Sequence, residues 1–223
     1  SMSDTYKLSR RQILTMSLAL GGVAFSAPLH AIFAQPGRKP TPEQVTGPFY
    51  PVMKPLDQDA DLTVIQGKPG KAKGQVIHLM GRVLNMKGEP IPGARVEIWQ
   101  VNTYGRYTHP GDTNPAPLDP NFEGYGVQIT DAEGRYRFKT IKPGAYPASQ
   151  GWTRPPHIHF KVESKTNWLV TQMYFYVEPL NEKDELLTER VDKDSLIVKL
   201  MPPTKDVEPD SLLAVWDIVL PQR

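Results

Sequence analysis

The feature that most constrains the fold is a series of short, alternating or β-branched runs that begins at residue 76 and continues almost to the C-terminus. Runs of about four to eight such residues, separated by turn sequences, predict β-strands. The predicted strands are Val76–Val83, Ala94–Gln100, Gly134–Thr140, His157–Glu163, Leu169–Val177, Leu196–Leu200 and Leu212–Leu220. Their spacing favours an antiparallel sandwich or barrel.

We therefore expect an all-β protein whose core is one antiparallel β-sandwich, with little helix. A chain of 223 residues is long enough for a single sizeable core. The sandwich is assigned to residues 76–223. An extended, irregular arm rich in Pro, Gly and charge precedes it at residues 36–75. The charged segment Asn181–Asp194 is predicted to hold a helical turn or a loop.

Residues 1–35 have the layout of a twin-arginine export signal, with Arg10 and Arg11 followed by an uncharged, mostly apolar run to Ala34. Glycines and a proline interrupt this run, which is short for a bilayer span of about 20 residues. We expect export to the periplasm or the cell exterior, and no membrane segment after processing. The alternative is a structural N-terminal helix that packs on a partner subunit, in a protein that stays in the cytoplasm.

The amino-acid composition limits which side chains could bind a metal and which partners are expected. The chain has no cysteine, so any metal must be held by His, Tyr, Asp or Glu. Lys7, Arg10 and Arg11 against Asp4 account for the whole formal net charge of +2. The remainder of the chain is therefore near neutral, and no nucleic-acid partner is expected.

Two histidines, His157 and His159, lie two residues apart in the stretch Trp152–Phe160. On an extended strand this spacing points both imidazoles to one face, while Ile158 and Phe160 turn towards apolar packing. The two prolines before them keep the chain extended and exclude a helix. Two nitrogen ligands on one face suggest a metal site. The alternative is a strand that carries two histidines on its hydrated face.

Two tyrosines lie in turns of the predicted sandwich. Tyr107 follows the strand that ends at Gln100, and Tyr146 lies in the turn from Pro143 to Pro147. Each alone is typical of a core or loop tyrosine. Together with the histidine pair, they resemble the intradiol ring-cleavage dioxygenases.

The resemblance covers roughly residues 46–177 and rests on five motifs in the same order. These are T-G-P-F-Y at 46–50, G-x-P-I-P-G-A-x-V-E-I-W-Q-x-N-x-x-G-x-Y at 88–107, D-x-x-G-x-Y-x-F-x-T-I-K-P-G-x-Y-P at 131–147, R-P-x-H-I-H-F at 154–160 and T-Q-M-Y-F at 171–175. The chain looks closer to the protocatechuate-cleaving branch than to the catechol branch. It departs from that branch at Ala148 and Ser149, where a bulky aromatic residue often stands.

The resemblance implies a mononuclear Fe(III) ion held by Tyr107, Tyr146, His157 and His159. Hard phenolate oxygens suit ferric iron. It also implies that a catechol derivative binds as a chelating dianion, that Tyr146 leaves the metal as a proton acceptor, and that O2 opens the ring between the two hydroxyl-bearing carbons. The product is a cis,cis-muconate-type dicarboxylate, and no organic cofactor is needed.

Three further residues match positions in the family pattern. Arg154 matches an arginine beside the substrate, Gln172 a glutamine of the pocket, and Tyr50 an aromatic residue that lines the entrance. The alternatives for the first two are a surface salt bridge and an in-strand amide. His78 and His109 are not expected to be ligands, because His78 lies in an apolar strand and His109 lies next to a proline.

The competing hypothesis is an exported, transthyretin-like β-sandwich binding module without catalysis, because many such modules share this strand rhythm. Under the dioxygenase hypothesis the partners are a small catechol derivative and O2. We expect the chain to assemble as a homo-oligomer.

Overall fold

The computed structural model describes residues 37–55, 57–190 and 192–223. The predicted export signal at residues 1–35 lies outside these ranges and stays a prediction. Among the described residues, no helix has the length and apolar character needed to cross a membrane.

The described residues are mostly strands, which confirms the predicted all-β class. In chain order the strands are β1 (Val76–Leu84), β2 (Arg95–Trp99), β3 (Tyr125–Ile129), β4 (Arg135–Ile141), β5 (Tyr146–Ser149), β6 (Trp152–Arg154), β7 (His157–Glu163), β8 (Trp168–Phe175), β9 (Ile197–Val198), β10 (Leu212–Val215) and β11 (Ile218–Val219). The predicted helical segment contains 3-10 turns at Pro179–Lys183 and Lys193–Leu196 and a one-turn α-helix at Glu185–Thr188.

The strands form two main sheets and a small hairpin. One sheet is built on β1, which pairs antiparallel with β4 on one side and parallel with β10 and β11 on the other. The second sheet has the order β3-β2-β7-β8-β9, with only its β8–β9 edge parallel. Strands β5 and β6 form the hairpin. The predicted antiparallel sandwich is therefore correct at its centre, but both sheets acquire parallel edge pairs from C-terminal strands.

The core lies between the two main sheets. Ile77 of β1, Phe138 of β4 and Ile98 of β2 are fully buried in it. The Phe160 ring of β7 packs edge-on against Tyr136 of β4, with ring centroids 6.0 Å apart, and so links the sheets. Burial of each such side chain stabilises the fold by about 1.5–3 kcal/mol. Because side chains alternate along β7, the histidines on either side of Ile158 face away from this core.

The described part of the arm runs across the edges of the sandwich without forming a strand. Its backbone donates hydrogen bonds from Thr41 to the carbonyl of Val219 (3.0 Å) and from Gln44 to the carbonyl of Val170 (2.9 Å). The second bond ties the arm to β8 of the five-stranded sheet. The segment that follows, Gly47–Tyr50, is thereby brought onto the outer face of that sheet.

Candidate active site

The candidate site lies on the outer face of the five-stranded sheet, opposite the core. Pairing across neighbouring strands aligns Tyr125, Trp99, His159 and Gln172 in one row. His157 lies one step along β7 and pairs with Tyr174 of β8. The sheet register thus gathers six large aromatic or polar side chains from four strands onto one patch.

Three donor atoms converge at the centre of this patch. The phenol oxygen of Tyr107 lies 3.1 Å from His159 Nε2 and 3.5 Å from His157 Nε2. The two Nε2 atoms lie 3.2 Å from each other. All three side chains are buried, at 4% exposure or less. The predicted grouping of Tyr107 with the histidine pair is therefore present in the structure.

The histidines are neutral, and the tautomer of one of them can be assigned. His157 Nδ1 lies 2.7 Å from the carbonyl oxygen of Pro155, which only accepts hydrogen bonds. The proton therefore sits on Nδ1, and the Nε2 lone pair faces the other donors. Burial, with the Arg154 charge beside it, lowers the pKa of His157 to about 3. Burial also holds the pKa of His159 well below its usual value.

Tight contacts between two turns bring the tyrosines together. Gly105 has φ +83°, and a Cβ there would lie 2.1 Å from the carbonyl oxygen of Ala145, so only glycine fits. The backbone of Gly144 donates a 3.0 Å hydrogen bond to Asn102, which joins the same two turns. As a result the Tyr146 ring packs edge-on against Tyr107, with centroids 5.2 Å apart.

Tyr146 lies beside the donor cluster but is not hydrogen bonded to it. Among the described residues, no hydrogen bond joins its hydroxyl to Tyr107, His157 or His159. Burial, together with the charge of the neighbouring carboxylate Asp112, raises its pKa to about 12. Burial also raises the pKa of Tyr107. Both phenols are protonated at neutral pH unless a cation lowers their pKa values, and the ligand role of Tyr146 stays a prediction.

The donor set fits a metal ion. Donor atoms about 2.0–2.1 Å from one metal lie about 3.0–3.4 Å from each other. Two of the three distances here, 3.1 and 3.2 Å, lie within that range, and the third, 3.5 Å, lies just above it. Among the described residues, no three His, Cys, Asp or Glu side chains form a group that could hold a metal. A metal in this site would therefore depend on tyrosine oxygen as well as on the two histidines.

One buried cation borders the donor cluster. Arg154 Nη1 lies 3.1 Å from His157 Nε2, and its Nη2 donates to Gln172 Oε1 at 2.7 Å. The guanidinium also makes two 3.1 Å hydrogen bonds to the carboxylate of Asp184, which is fully buried. The predicted Arg154 and Gln172 thus lie together at the site. Asp184, which holds the arginine in place, was not predicted.

The arm completes this network. The Gln172 amide donates a 2.8 Å hydrogen bond to the carbonyl of Val45, so both ends of the amide are engaged. Tyr174 donates to Gln44 at 3.2 Å and receives a 2.9 Å hydrogen bond from Arg154. Gln172 therefore connects the arm to Arg154 through two hydrogen bonds, and its amide does not face solvent.

The T-G-P-F-Y motif of the arm covers the donors. A Cβ at Gly47, whose φ is +71°, would lie 3.4 Å from the His159 ring, so the backbone approaches that histidine closely. The Phe49 ring stacks on Tyr107 with centroids 4.6 Å apart. Tyr50, predicted to line the pocket, donates instead to the buried carboxylate of Glu97 at 2.8 Å.

A cavity of about 460 Å³ opens beside the donors, and Phe49, Trp99 and Tyr107 are among the residues that line it. Phe49 takes the wall position that was predicted for Tyr50. His109 also lines this cavity, and its Nδ1 accepts a hydrogen bond from the backbone of Gly111.

The remaining histidine of the sandwich has a structural partner. His78 lies on the other main sheet, 2.7 Å from the Glu208 carboxylate. Among the described residues, neither His78 nor His109 is hydrogen bonded to the donor cluster, and that they are not ligands stays a prediction.

Comparison with known proteins adds to this geometry. A family model described as "Dioxygenase" matches residues 45–222. The protocatechuate 3,4-dioxygenase beta chain of Burkholderia cepacia is 43% identical over 196 residues, which are 82% of this chain and 82% of that protein. The catechol 1,2-dioxygenase of Candida albicans is 30% identical over 172 residues, and the match covers 71% of this chain and 54% of that protein.

Solved structures share the fold. The dioxygenase domain of a dioxygenase and carbohydrate-binding fusion protein from Streptomyces sp. SirexAA-E is 28% identical with a TM-score of 0.62, over 83% of this chain and all of that chain. The catechol 1,2-dioxygenase of Acinetobacter sp. ADP1 is 27% identical with a TM-score of 0.62, over 82% of this chain and 63% of that chain. This chain thus spans only part of the catechol 1,2-dioxygenases that it matches.

Proposed function

This chain belongs to the intradiol ring-cleavage dioxygenase family, and from that premise we propose that it is a ferric iron enzyme that cleaves substituted catechols with O2. The proposed iron ligands are Tyr107, Tyr146, His157 and His159. The proposed product is a cis,cis-muconate-type dicarboxylate. The observation that carries the proposal is the convergence of one phenol oxygen and two imidazole nitrogens at mutual distances of 3.1–3.5 Å in a buried patch.

The chemistry of the proposed tyrosine and histidine ligands indicates which metal they would bind. Imidazole binds several transition metals, but hard, anionic phenolate oxygen favours Fe(III) over Fe(II). When bound, ferric iron supplies a Lewis acid that ionises the diol and withdraws electron density from the ring, so that the ring becomes reactive towards O2. The neutral tautomer of His157, with its Nε2 lone pair directed at the other donors, is already in the form that a metal requires.

Arg154 is proposed to stabilise negative charge on the bound diol. Its Nη1 lies 3.1 Å from His157 Nε2, so its charge borders the position of the substrate oxygens. The Asp184 carboxylate and Gln172 amide fix the orientation of the guanidinium in advance. A preorganised charge in a water-poor site stabilises developing charge without further rearrangement.

Tyr146 is proposed to take a proton from the diol. It starts β5 and leads out of a turn, rather than lying within the five-stranded sheet, so its side chain is less constrained than the two histidines. A phenol whose pKa is raised to about 12 is a strong base once ionised, because the neutral form is favoured by burial and by Asp112. Tyr107, in contrast, is hydrogen bonded to both histidines and is proposed to remain in place.

The competing binding-module hypothesis accounts for the sandwich but not for the buried donors and the arginine beside them. The four relatives described above are all named as dioxygenases or dioxygenase domains. Assembly as a homo-oligomer stays a prediction.

The proposal is tested by product analysis. The purified, iron-loaded protein is incubated with catechol, protocatechuate and hydroxyquinol in air, and the products are identified by mass and ultraviolet absorbance. We expect a muconate-type dicarboxylate from at least one of them, and none from a His159→Ala control. A yellow semialdehyde product would indicate cleavage outside the diol and would contradict the assignment.

A further inference from the structure

The cavity beside the donors has the size of a small-molecule pocket, and most of the residues that line it are apolar. Its volume of about 460 Å³ lies within the usual range of about 300–1,000 Å³ for small-molecule pockets. Two of its wall residues also contact the donor cluster: the Trp99 ring stacks on His159, and the Tyr107 oxygen is itself a donor. A diol bound at the donors can therefore extend a ring substituent into this cavity.

One wall of the cavity is the arm, and it is apolar. Phe49, Pro51, Val52, Met53 and Pro55 line it from that side. The side chains of Val52 and Met53 are mostly exposed, at 76% and 88%, although they sit at the mouth of the cavity. When an apolar group of a ligand covers exposed apolar side chains at a cavity mouth, the removal of this surface from water favours binding.

Two polar side chains of the opposite wall, those of Tyr125 and Gln100, are already hydrogen bonded within the protein. The Tyr125 hydroxyl donates to the Glu97 carboxylate. The Gln100 amide donates to the carbonyls of Val101 and Ile141, at 3.1 and 2.9 Å, and accepts from the Thr140 hydroxyl at 2.7 Å. A charged substituent could gain a hydrogen bond from either of these two side chains only by breaking one of these buried bonds.

The charges around the cavity disfavour an anion. Among the described residues, no lysine or arginine lines it, whereas Glu123 does. Lys54 lies between two lining residues of the arm, but its Nζ is 3.4 Å from the buried Glu97 carboxylate. Its positive charge is therefore paired with that carboxylate.

We propose that this cavity binds an apolar substituent, such as an alkyl group, on the ring of a catechol, and that it discriminates against a ring carboxylate. The inference rests on the proposed function and names its substrate class. It distinguishes this chain from a protocatechuate-cleaving enzyme, since protocatechuate carries a carboxylate on its ring.

The test compares substrates that differ only in the ring substituent. Rates of O2 consumption by the iron-loaded protein give kcat/KM for catechol, for catechols with a methyl, ethyl or propyl group para to one hydroxyl, and for protocatechuate. The assays run at about pH 8, because the pKa of Glu123 is raised to about 7 and its carboxyl group is then mostly ionised. We expect kcat/KM to rise by up to about fourfold for each buried methylene. Protocatechuate should be at least about tenfold poorer than propylcatechol, because its carboxylate loses solvation next to Glu123. Protocatechuate turned over faster than propylcatechol would overturn the inference.

Two variants test the cause of the discrimination. Met53→Lys places a cation at the mouth of the cavity, and Glu123→Gln removes the anion. Each should shift the kcat/KM ratio of protocatechuate to propylcatechol upward by at least about threefold. Met201→Lys is the matched control, because Met201 is also exposed, at 46%, but does not line the cavity. Equal ratios in Met53→Lys, Met201→Lys and the unmodified protein would contradict the proposed role of the wall.

Binding without turnover separates this inference from the proposed function. Calorimetric titration under anaerobic conditions measures the Kd of propylcatechol and of protocatechuate directly. Tighter binding of propylcatechol supports the inference even if no ring is cleaved, a result that would reject only the proposed reaction. Tighter binding of protocatechuate rejects the inference even if both rings are cleaved.

Discussion

The indole ring of Trp99 lies nearly parallel to the imidazole of His159, with ring centroids 5.0 Å apart and an interplanar angle of 7°. The two residues are direct neighbours in the β2–β7 pairing. The Nδ1 atom of His159 is buried without a hydrogen-bond partner among the described residues, whereas His157 Nδ1 bonds to a carbonyl. The stacking on Trp99 therefore replaces the second hydrogen bond that normally orients a metal-binding histidine.

Replacing Trp99 with leucine should loosen His159 and weaken iron binding by about 10-fold, the lower end of the range for groups that orient a metal ligand. Iron affinity is measured by competition with a chelator, and near-ultraviolet circular dichroism monitors the fold. Trp168→Leu is the control, because Trp168 is on the same sheet but partly exposed and stacked on Arg223. Equal iron affinity in the two variants would show that stacking does not position His159.

The Asp184 carboxylate should be essential for the position of Arg154. Asp184→Asn leaves the guanidinium buried without its counter-charge, which should destabilise the fold by about 3 kcal/mol in urea denaturation. Turnover should fall as well, with a larger change in kcat than in KM, because the arginine loses its fixed orientation. Asp192→Asn, which removes an exposed partner of Lys39 at 3.8 Å, should leave stability unchanged within error. If both variants unfold at the same urea concentration as the unmodified protein, the buried pair is not structural.

Stability should depend on pH through Glu123. Burial, with the nearby carboxylates of Asp57 and Asp59, raises the pKa of Glu123 from 4.5 to about 7. Between these values the folded protein binds more protons than the unfolded chain, so the contribution of Glu123 to stability falls as the pH rises. The Glu123→Gln variant has no carboxyl group at this position, so it does not lose stability in this way as the pH rises. The variant should be more stable than the unmodified protein above about pH 7, by on the order of 1 kcal/mol once solvent screening of this partly exposed group is included.

The measurement is the free energy of unfolding from urea titrations at several pH values from 4 to 8. The exposed Glu182, changed to Gln, serves as the control and should follow the pH profile of the unmodified protein. Parallel profiles for Glu123→Gln and the unmodified protein would mean that the carboxyl group titrates normally.

The two tyrosines should differ in their roles. Tyr146→Phe should keep much of its iron but lose about 10²–10⁴-fold in turnover, because a positioned proton acceptor is removed. Tyr107→Phe should instead retain less iron, since Tyr107 is the phenol hydrogen bonded to both histidines. Iron content, the substrate-bound visible spectrum and turnover are compared in both variants. An iron-replete Tyr146→Phe protein with near-normal turnover would show that another base takes the proton.

Much of the sheet framework could be predicted from local sequence. The His157–Glu163 prediction matches β7, and the alternation around Ile158 placed the two histidines on one face. The β5–β6 hairpin was missed, because a proline and short, polar segments give little strand signal. The predicted strand Leu212–Leu220 is divided into β10 and β11, which both pair parallel with β1.

Residues of the site could be predicted from the sequence only where they belong to one of the family motifs. Tyr107 lies 50 residues from His157 in sequence, and no local spacing joins them; the family motifs did. Asp184 lies in a charged loop 30 residues from Arg154, and nothing in the local pattern distinguishes it from exposed acidic neighbours. The hydrogen bond between Tyr50 and Glu97 was not predicted, because Glu97 has the local pattern of a polar residue in an alternating strand.

The central claim, a ferric site with mixed tyrosine and histidine ligands, is tested most directly by elemental analysis and the visible spectrum of the purified protein. The account predicts about one iron per chain and a wine-red colour from tyrosinate-to-Fe(III) charge transfer, which His157→Ala should bleach. A colourless protein that contains zinc, or one that retains its colour in His157→Ala, would contradict it.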